Sequence, residues 1–160
     1  MKISALDEYG LRILLRIARA DEEEGLTIQQ ISELEGLSMP YAGKITRTLR
    51  MAALIQSTRG QKGGYVLAKP AENITIHEVL KALGGHLFDA EFCGSHSGAL
   101  RLCTNSIDCS VRSLWRVLQH AMDQILERIS LQQLLHSEIN TGATLQSVVE
   151  DVLKLEVAGK

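Results

Sequence analysis

Residues 37–71, LSMPYAGKITRTLRMAALIQSTRGQKGGYVLAKPA, hold six lysines and arginines and no acid. Ser38 is a good helix N-cap, and Pro40 falls in the first turn, where a missing N–H costs nothing. Ala42, Ile45, Leu49 and Ala52/Ala53 recur at helical spacing, which leaves Tyr41, Lys44, Arg47, Thr48 and Arg50 off the apolar face. After Leu54 the period changes to alternation, Ile55–Ser57–Arg59 and then Tyr65–Leu67, with Gly60, Gly63 and Gly64 for the turn. A basic helix joined directly to a basic hairpin is the plan of a winged helix-turn-helix. The helix suits the major groove and the hairpin suits the backbone or minor groove.

The residues before this stretch agree. A first helix is expected over Ser4–Ala20, with Leu6, Leu11, Leu14/Leu15 and Ile17/Ala18 inward and Asp7 and Glu8 in its first turn, where the helix dipole favours acids. Thr27 caps a second helix, Ile28–Glu35, with Ile28, Ile31 and Leu34 facing in. Gly36-Leu37-Ser38 then makes the short glycine-containing turn of a helix-turn-helix. Beyond the hairpin, Asn73-Ile74-Thr75 leads into a helix over Ile76–Leu83, closed by Gly84-Gly85. The fold class is therefore mainly α, a winged helix-turn-helix with a two-stranded wing, and residues 1–84 form the DNA-binding domain.

Charge supports the assignment through its distribution. The net charge is −2, yet the 125 residues outside 37–71 carry 11 basic against 19 acidic groups. A confined basic region on an otherwise acidic chain is a local nucleic-acid footprint. Aromatics make up only 4%, so the core must be built from Leu, Ile, Val and Ala, which suits helices. The charged start MKISALDEYGLR is not a signal peptide, and no apolar run is long enough to span a membrane. A cytoplasmic protein with reduced thiols and no membrane partner is expected.

Residues 85–106 lose helical periodicity and read as a long functional loop. A long helix follows within 107–135. Ile107, Val111, Leu114, Leu118, Met122, Ile125 and Ile129 step by threes and fours, close to a coiled-coil seam, with Trp115 and Leu126 widening the stripe. One small winged domain offers too little surface to cover it. A homodimer on a pseudo-palindromic double-stranded operator is the economical solution. The tail, 136–160, has a further apolar pattern (Leu145, Val148/Val149, Val152/Leu153) without an evident role.

Cys93, Cys103 and Cys109 are spaced C-x9-C-x5-C. That is neither the paired C-x2-C of a zinc ribbon nor a ferredoxin run. Cytosolic cysteines are often small buried hydrophobes. Here two lie in a polar Gly/Ser-rich loop with little apolar to pack against, and Cys109 opens the long helix, where the dipole favours negative charge. Three such thiols suit a soft metal or an iron–sulfur centre. A thiol redox switch or a zinc site is the alternative.

The chain resembles the Rrf-type winged-helix transcriptional regulators, the IscR/NsrR/RirA group. Glu8-Tyr9-Gly10-Leu11-Arg12, Leu37-Ser38 with Tyr41 and Lys44-Ile45, and above all Ser57-x-Arg59-Gly60-x-Lys62-Gly63-Gly64-Tyr65-x-Leu67 carry the resemblance. Leu114-Trp115 and Ile129-Ser130-Leu131 also fit, so it covers about residues 1–135. It implies a repressor-type regulator in which Cys93, Cys103 and Cys109 hold a 2Fe–2S or 4Fe–4S cluster and sense iron, redox state or nitric oxide. The first cysteine gap is longer than the family's usual one. A His three residues after the last cysteine serves one subgroup as fourth ligand; Arg112 stands there instead. Other members use a carboxylate from the partner's first helix, and Glu8 matches that position, with Asp7 beside it. His86 and His96 are local rivals. The resemblance also implies that Arg59 enters the minor groove, that Ser38, Tyr41, Lys44 and Arg47 face the major groove or phosphates, and that Lys62 and Lys69 contact phosphates.

An enzyme is not expected. No cysteine has a base and an orienting partner in view, and Gly60-x-x-Gly63-Gly64 lacks the Gly-Lys-Ser/Thr that opens a helix in a phosphate-binding loop.

Overall fold

The computed structural model describes residues 3–21, 23–58, 63–85, 88, 92–95, 103 and 105–158. Helix α1 spans Ala5–Arg19 and starts on a reciprocal cap. The Asp7 N–H donates to Ser4 Oγ (3.1 Å), while the Asp7 carboxylate accepts from the Ser4 N–H (3.0 Å) and hydroxyl (2.7 Å). Helix α2, Ile28–Glu35, repeats the device with Thr27 and Gln30. It ends at Gly36 in the left-handed conformation (φ 65°), which a β-carbon would strain. The Leu37 N–H returns to the Ser32 carbonyl, and the Ser32 hydroxyl donates to the Leu37 carbonyl, fixing the turn into the next helix.

Helix α3 spans Met39–Met51 with Pro40 in its first turn; Ser38 stands at the N-cap but makes no side-chain cap bond. Ala42, Ile45, Thr46 and Leu49 are buried. Ala52 and Ala53, expected on that face, are exposed, because the helix has already ended and Ala53 turns left-handed (φ 55°). Strands β1 (Ile55–Ser57) and β2 (Tyr65–Leu67) pair antiparallel with Ile55 opposite Leu67 and Ser57 opposite Tyr65. Leu26 adds an antiparallel bridge to β2, exchanging backbone bonds with Tyr65 at 3.0 and 2.9 Å. The backbones meet closely there: a β-carbon on Gly25 would strike the Tyr65 carbonyl, and one on Gly64 the Glu24 carbonyl. A 3-10 turn, Ala71–Asn73, leads to helix α4, Ile76–Leu83, capped by Thr75 and closed at Gly84.

Helices α1, α2, α3 and α4 close over one core in which Ile13, Leu14, Ile31, Ile45, Leu49, Leu54, Ile74 and Val79 are fully buried. Burying each such side chain is worth about 1.5–3 kcal/mol. The inward stripe of α1 is rotated from expectation. Ile13 joins Leu14 and Ile17 inside, while Leu6, Leu11, Leu15 and Ala18 are half-buried. Leu34, expected inside, is 48% exposed, and its neighbour Glu35 takes the buried place.

A short helix α5, Phe92–Ser95, holds Cys93 within the loop expected to be irregular. Helix α6 spans Ser110–Leu126, shorter than the expected 107–129. Ile107 precedes it and is 97% exposed; Ile129 follows it and is buried in the head. The chain returns there because the Ile76 N–H bonds to the Ile129 carbonyl and the Leu131 N–H to the Ile74 carbonyl, both at 2.8 Å. After a 3-10 turn, Leu131–Leu135, helix α7 (Glu138–Ala158) packs on that turn and on α6. Leu145 and Val148 turn toward the core and Val152 is buried; the Leu153 side chain lies outside the described residues. Among the described residues no helix is long and apolar enough to cross a membrane.

Candidate nucleic-acid interface and cysteine loop

With Ala42, Ile45, Thr46 and Leu49 buried, the opposite face of α3 presents Pro40, Lys44, Arg47 and Met51 to solvent. Ser38 is exposed at the N-terminal end of the same helix. Tyr41 is half-buried on the flank, its ring edge-on to Tyr9 with centroids 6.1 Å apart. The Arg12 guanidinium lies over the Tyr9 ring, 5.4 Å from its centroid. Tyr41 is thus held against α1, beside the exposed row of α3. Lys69 is drawn inward instead, ion-paired with Glu78 of α4 at 2.8 Å. Arg59 and Lys62 at the wing tip lie outside the described residues, as do His86 and His96.

Glu35 is the polar residue that sequence reasoning missed. Its side chain is 1% exposed, and its two oxygens each accept a 2.6 Å bond, one from Arg12 Nε and one from Arg16 Nε. Both arginines project from α1 one turn apart, so the last residue of α2 is stapled to α1 just before the Gly36 turn. The signal in the sequence was the i, i+4 arginine pair. An isolated acid at a helix end gave no reason to join them.

The three thiols are free and half-buried. Cys109 caps α6: its Sγ accepts from the Arg112 N–H at 3.3 Å. Arg112 also donates through Nη1 to the Ser106 carbonyl, and the Ser106 N–H bonds to the Cys103 carbonyl, which ties Cys103, Ser106 and the start of α6 together. Cys93 lies next to Phe92, whose ring contacts that of Phe88 at 5.7 Å. Among the described residues no three His, Cys, Asp or Glu side chains are gathered to hold a single metal ion. Glu8 is exposed on the first turn of α1. Asp7 is buried and engaged with Ser4 through Oδ2, while Oδ1, beside Gly85, has no hydrogen-bond partner among the described residues. Of the two acids, Glu8 is the one accessible to another subunit.

The family profile for Rrf2, described as an iron-dependent transcriptional regulator, matches residues 3–137. The chain belongs to the Rrf2 family. It is 34% identical to the protein rrf2 of Nitratidesulfovibrio vulgaris over 135 residues, covering 84% of this chain and 87% of the relative. It is 30% identical to the HTH-type transcriptional regulator IscR of Photorhabdus laumondii over 138 residues, covering 86% and 81%. Among solved structures it is similar to the B. subtilis global cysteine regulator CymR (TM-score 0.65, 27% identity, 84% of this chain and 96% of that one). It is also similar to T. potens IscR (TM-score 0.64, 26% identity, 84% and 86%). The winged-helix fold read from the basic helix and hairpin is therefore established, and the chain is an IscR-like transcriptional regulator of a DNA-binding family. Helix α7 begins where the family match ends.

Proposed function

We propose that this regulator acts as a homodimer that represses from a pseudo-palindromic operator, with affinity set by an iron–sulfur cluster held on Cys93, Cys103, Cys109 and Glu8 of the partner subunit. The observation that carries the proposal is three free thiols on one segment inserted between the DNA-reading head and α6. The donor set has the right chemistry: soft thiols plus one exposed carboxylate. When bound, a cluster would supply an oxidant- and iron-sensitive cross-link between these thiols and the partner's carboxylate. Helix α6 supports the dimer. Val111, Leu114, Trp115 and Leu118 are 57, 52, 37 and 41% exposed on one stripe, more apolar surface than a solvated helix carries. Ser38, Tyr41, Lys44, Arg47, Arg59 and Lys62 are the DNA contacts in this reading. The target is 2Fe–2S or 4Fe–4S, and iron, redox state or nitric oxide the signal.

Anaerobic purification followed by visible absorption and iron and sulfide analysis tests this, with operator affinity measured on loaded and cluster-free protein and Cys103→Ala as control. Cluster absorption lost in the variant, with unequal affinities, is the expected result. A second reading draws on Cys109, whose sulfur already sits on a helix N-terminal N–H, and on the CymR neighbours, one of them solved in an oxidized form. A colourless protein whose operator affinity changes on oxidation favours that thiol switch.

A further inference from the structure

A polar chain links the cysteine segment to the DNA-reading head, and it passes through one amide. Phe88, whose ring contacts Phe92 beside Cys93, donates its backbone N–H to Gln119 Oε1 of α6 at 3.0 Å. Gln119 Nε2 donates to Asp123 Oδ1, one turn further along α6, at 2.7 Å. That same oxygen lies 3.4 Å from His77 Nε2, and Glu127 Oε1 lies 3.6 Å from His77 Nδ1. His77 belongs to α4, which packs on α1 and on the recognition helix α3. The residue type at 119 is dictated chemically. Its partner on one side is a donor that needs an oxygen, and on the other a carboxylate that needs an N–H. Only an amide of this length supplies both, and the two neighbours fix which way it points.

We propose that Gln119 is the positioning residue that couples the state of the cysteine loop to the orientation of the head, by tying Phe88 to the Asp123–His77–Glu127 bracket on α4. This rests on the reading above that the cysteine loop is the sensor. A shift of α5 that moves Phe88 breaks or remakes the bond to Gln119. The amide then turns, and Asp123 is released toward or withdrawn from His77. Coupling between two sites requires such an element with alternative partners, and is worth about 5–150-fold in affinity.

The test compares operator affinity of the full-length protein in its two loop states, cluster-loaded and cluster-free, for wild type, Gln119→Ala, Gln119→Glu and Gln119→Glu combined with Asp123→Asn. Iron content, thermal midpoint and amide exchange at Phe88 in the cluster-free protein are measured alongside. Wild type is expected to show a ratio of about tenfold or more. In Gln119→Ala the ratio should fall to within about twofold of unity. Its iron content should be unchanged, and exchange at Phe88 should be faster. Gln119→Glu sets two carboxylates against each other and should also lose the ratio. The double variant restores a 119–123 hydrogen bond but removes the carboxylate that faces His77, so the ratio should stay lost; its recovery would overturn the route through the Asp123–His77 contact. A wild-type ratio retained in Gln119→Ala overturns the coupling alone. Loss of iron from that variant overturns it too, by making Gln119 a support of the loop. Equal affinities in the two states of wild type overturn both this inference and the sensing function.

Discussion

The head and the α6 segment of this chain are built to opposite rules. In the head, α1 and α2 start on reciprocal caps, α2 and α4 end on left-handed glycines, and the helices bury their apolar faces against one another, so that Ile45 and Leu49 are wholly inaccessible. In α6 no residue is fully buried, and the stripe from Val111 to Leu118 faces solvent. The C-terminal end of α6 is tied in, through Ile125 and Leu126 against the head core and the Ile129–Leu131 strap beyond. The difference is between helices that cover one another and a helix whose apolar stripe stays uncovered among the described residues. Substitutions in the two regions should therefore separate stability from association.

The largest effect on the head should come from Leu49→Ala. Removing this side chain, 0% exposed, leaves a cavity between α3 and α1 and should cost about 2–5 kcal/mol, read from the urea midpoint at constant slope. The loss should not depend on protein concentration if the head folds within one chain. Concentration dependence would mean that the head is stable only as an assembly, and the comparison would break.

Glu35→Ala should come next, at about 1–3 kcal/mol. The buried carboxylate accepts from two arginines, but both guanidiniums are close to half-exposed and regain water when released, which keeps the cost below that of a wholly buried pair. Operator affinity should fall as well, because the staple fixes the turn that feeds the recognition helix. A Glu35→Gln variant keeps the shape and accepts at one oxygen only, so its urea midpoint should lie between the two. If it matches Glu35→Ala, charge rather than geometry holds the turn.

Leu114→Glu should barely move the head, within about 0.5 kcal/mol, since Leu114 is 52% exposed. Its effect should appear in light scattering instead, as a change from a dimer to a monomer mass. Weaker operator binding should follow, because two linked half-sites gain from effective concentration. An unchanged mass would remove α6 from the dimer interface and send the search to α7.

How much of this could be read beforehand follows the same division. Elements whose ends are marked by local chemistry were legible: Thr27 and Gly36 bound α2, Thr75 and Gly84 bound α4, and the glycine-flanked alternation set the wing. Where the outcome depended on tertiary contacts, periodicity misled. Ile107 and Ile129 continue the α6 spacing perfectly well, yet Cys109 starts the helix late, and the strap bonds to Ile74 and Ile76 pull Ile129 into the head. Nothing local in the sequence marks Glu35, because its partners lie 19 and 23 residues away. The site was legible in the same measure. The outward row of α3 follows directly from which positions are buried. The placing of Cys93 on a helical turn, and the link from Phe88 to Gln119 across 31 residues, are long-range facts that no local pattern encodes.

The smallest effect expected in the head lies at Asp21. The backbone N–H groups of Glu24 and Glu23 donate to its carboxylate and hold it below the usual carboxylate range. A carboxyl that titrates lower in the folded protein than in the unfolded chain stabilises the fold at pH above its ordinary value of 3.8, and that contribution disappears as the pH falls through the lowered one. Asp21→Asn retains an oxygen for both N–H groups but has no charge to lose. Thermal midpoints of wild type and variant should therefore differ slightly near neutral pH and converge in acid. The turn matters beyond its size because the chain passes from it directly to Gly25 and Leu26, which lie backbone against backbone with Tyr65 at the base of the wing. Protection of the Leu26 and Tyr65 amides, taken relative to the intrinsic exchange rate at each pH, should fall in acid in wild type and much less in the variant. A gap between the two midpoints that stays constant from neutral to acid pH would show that the turn depends on the shape of residue 21, with no contribution from its charge.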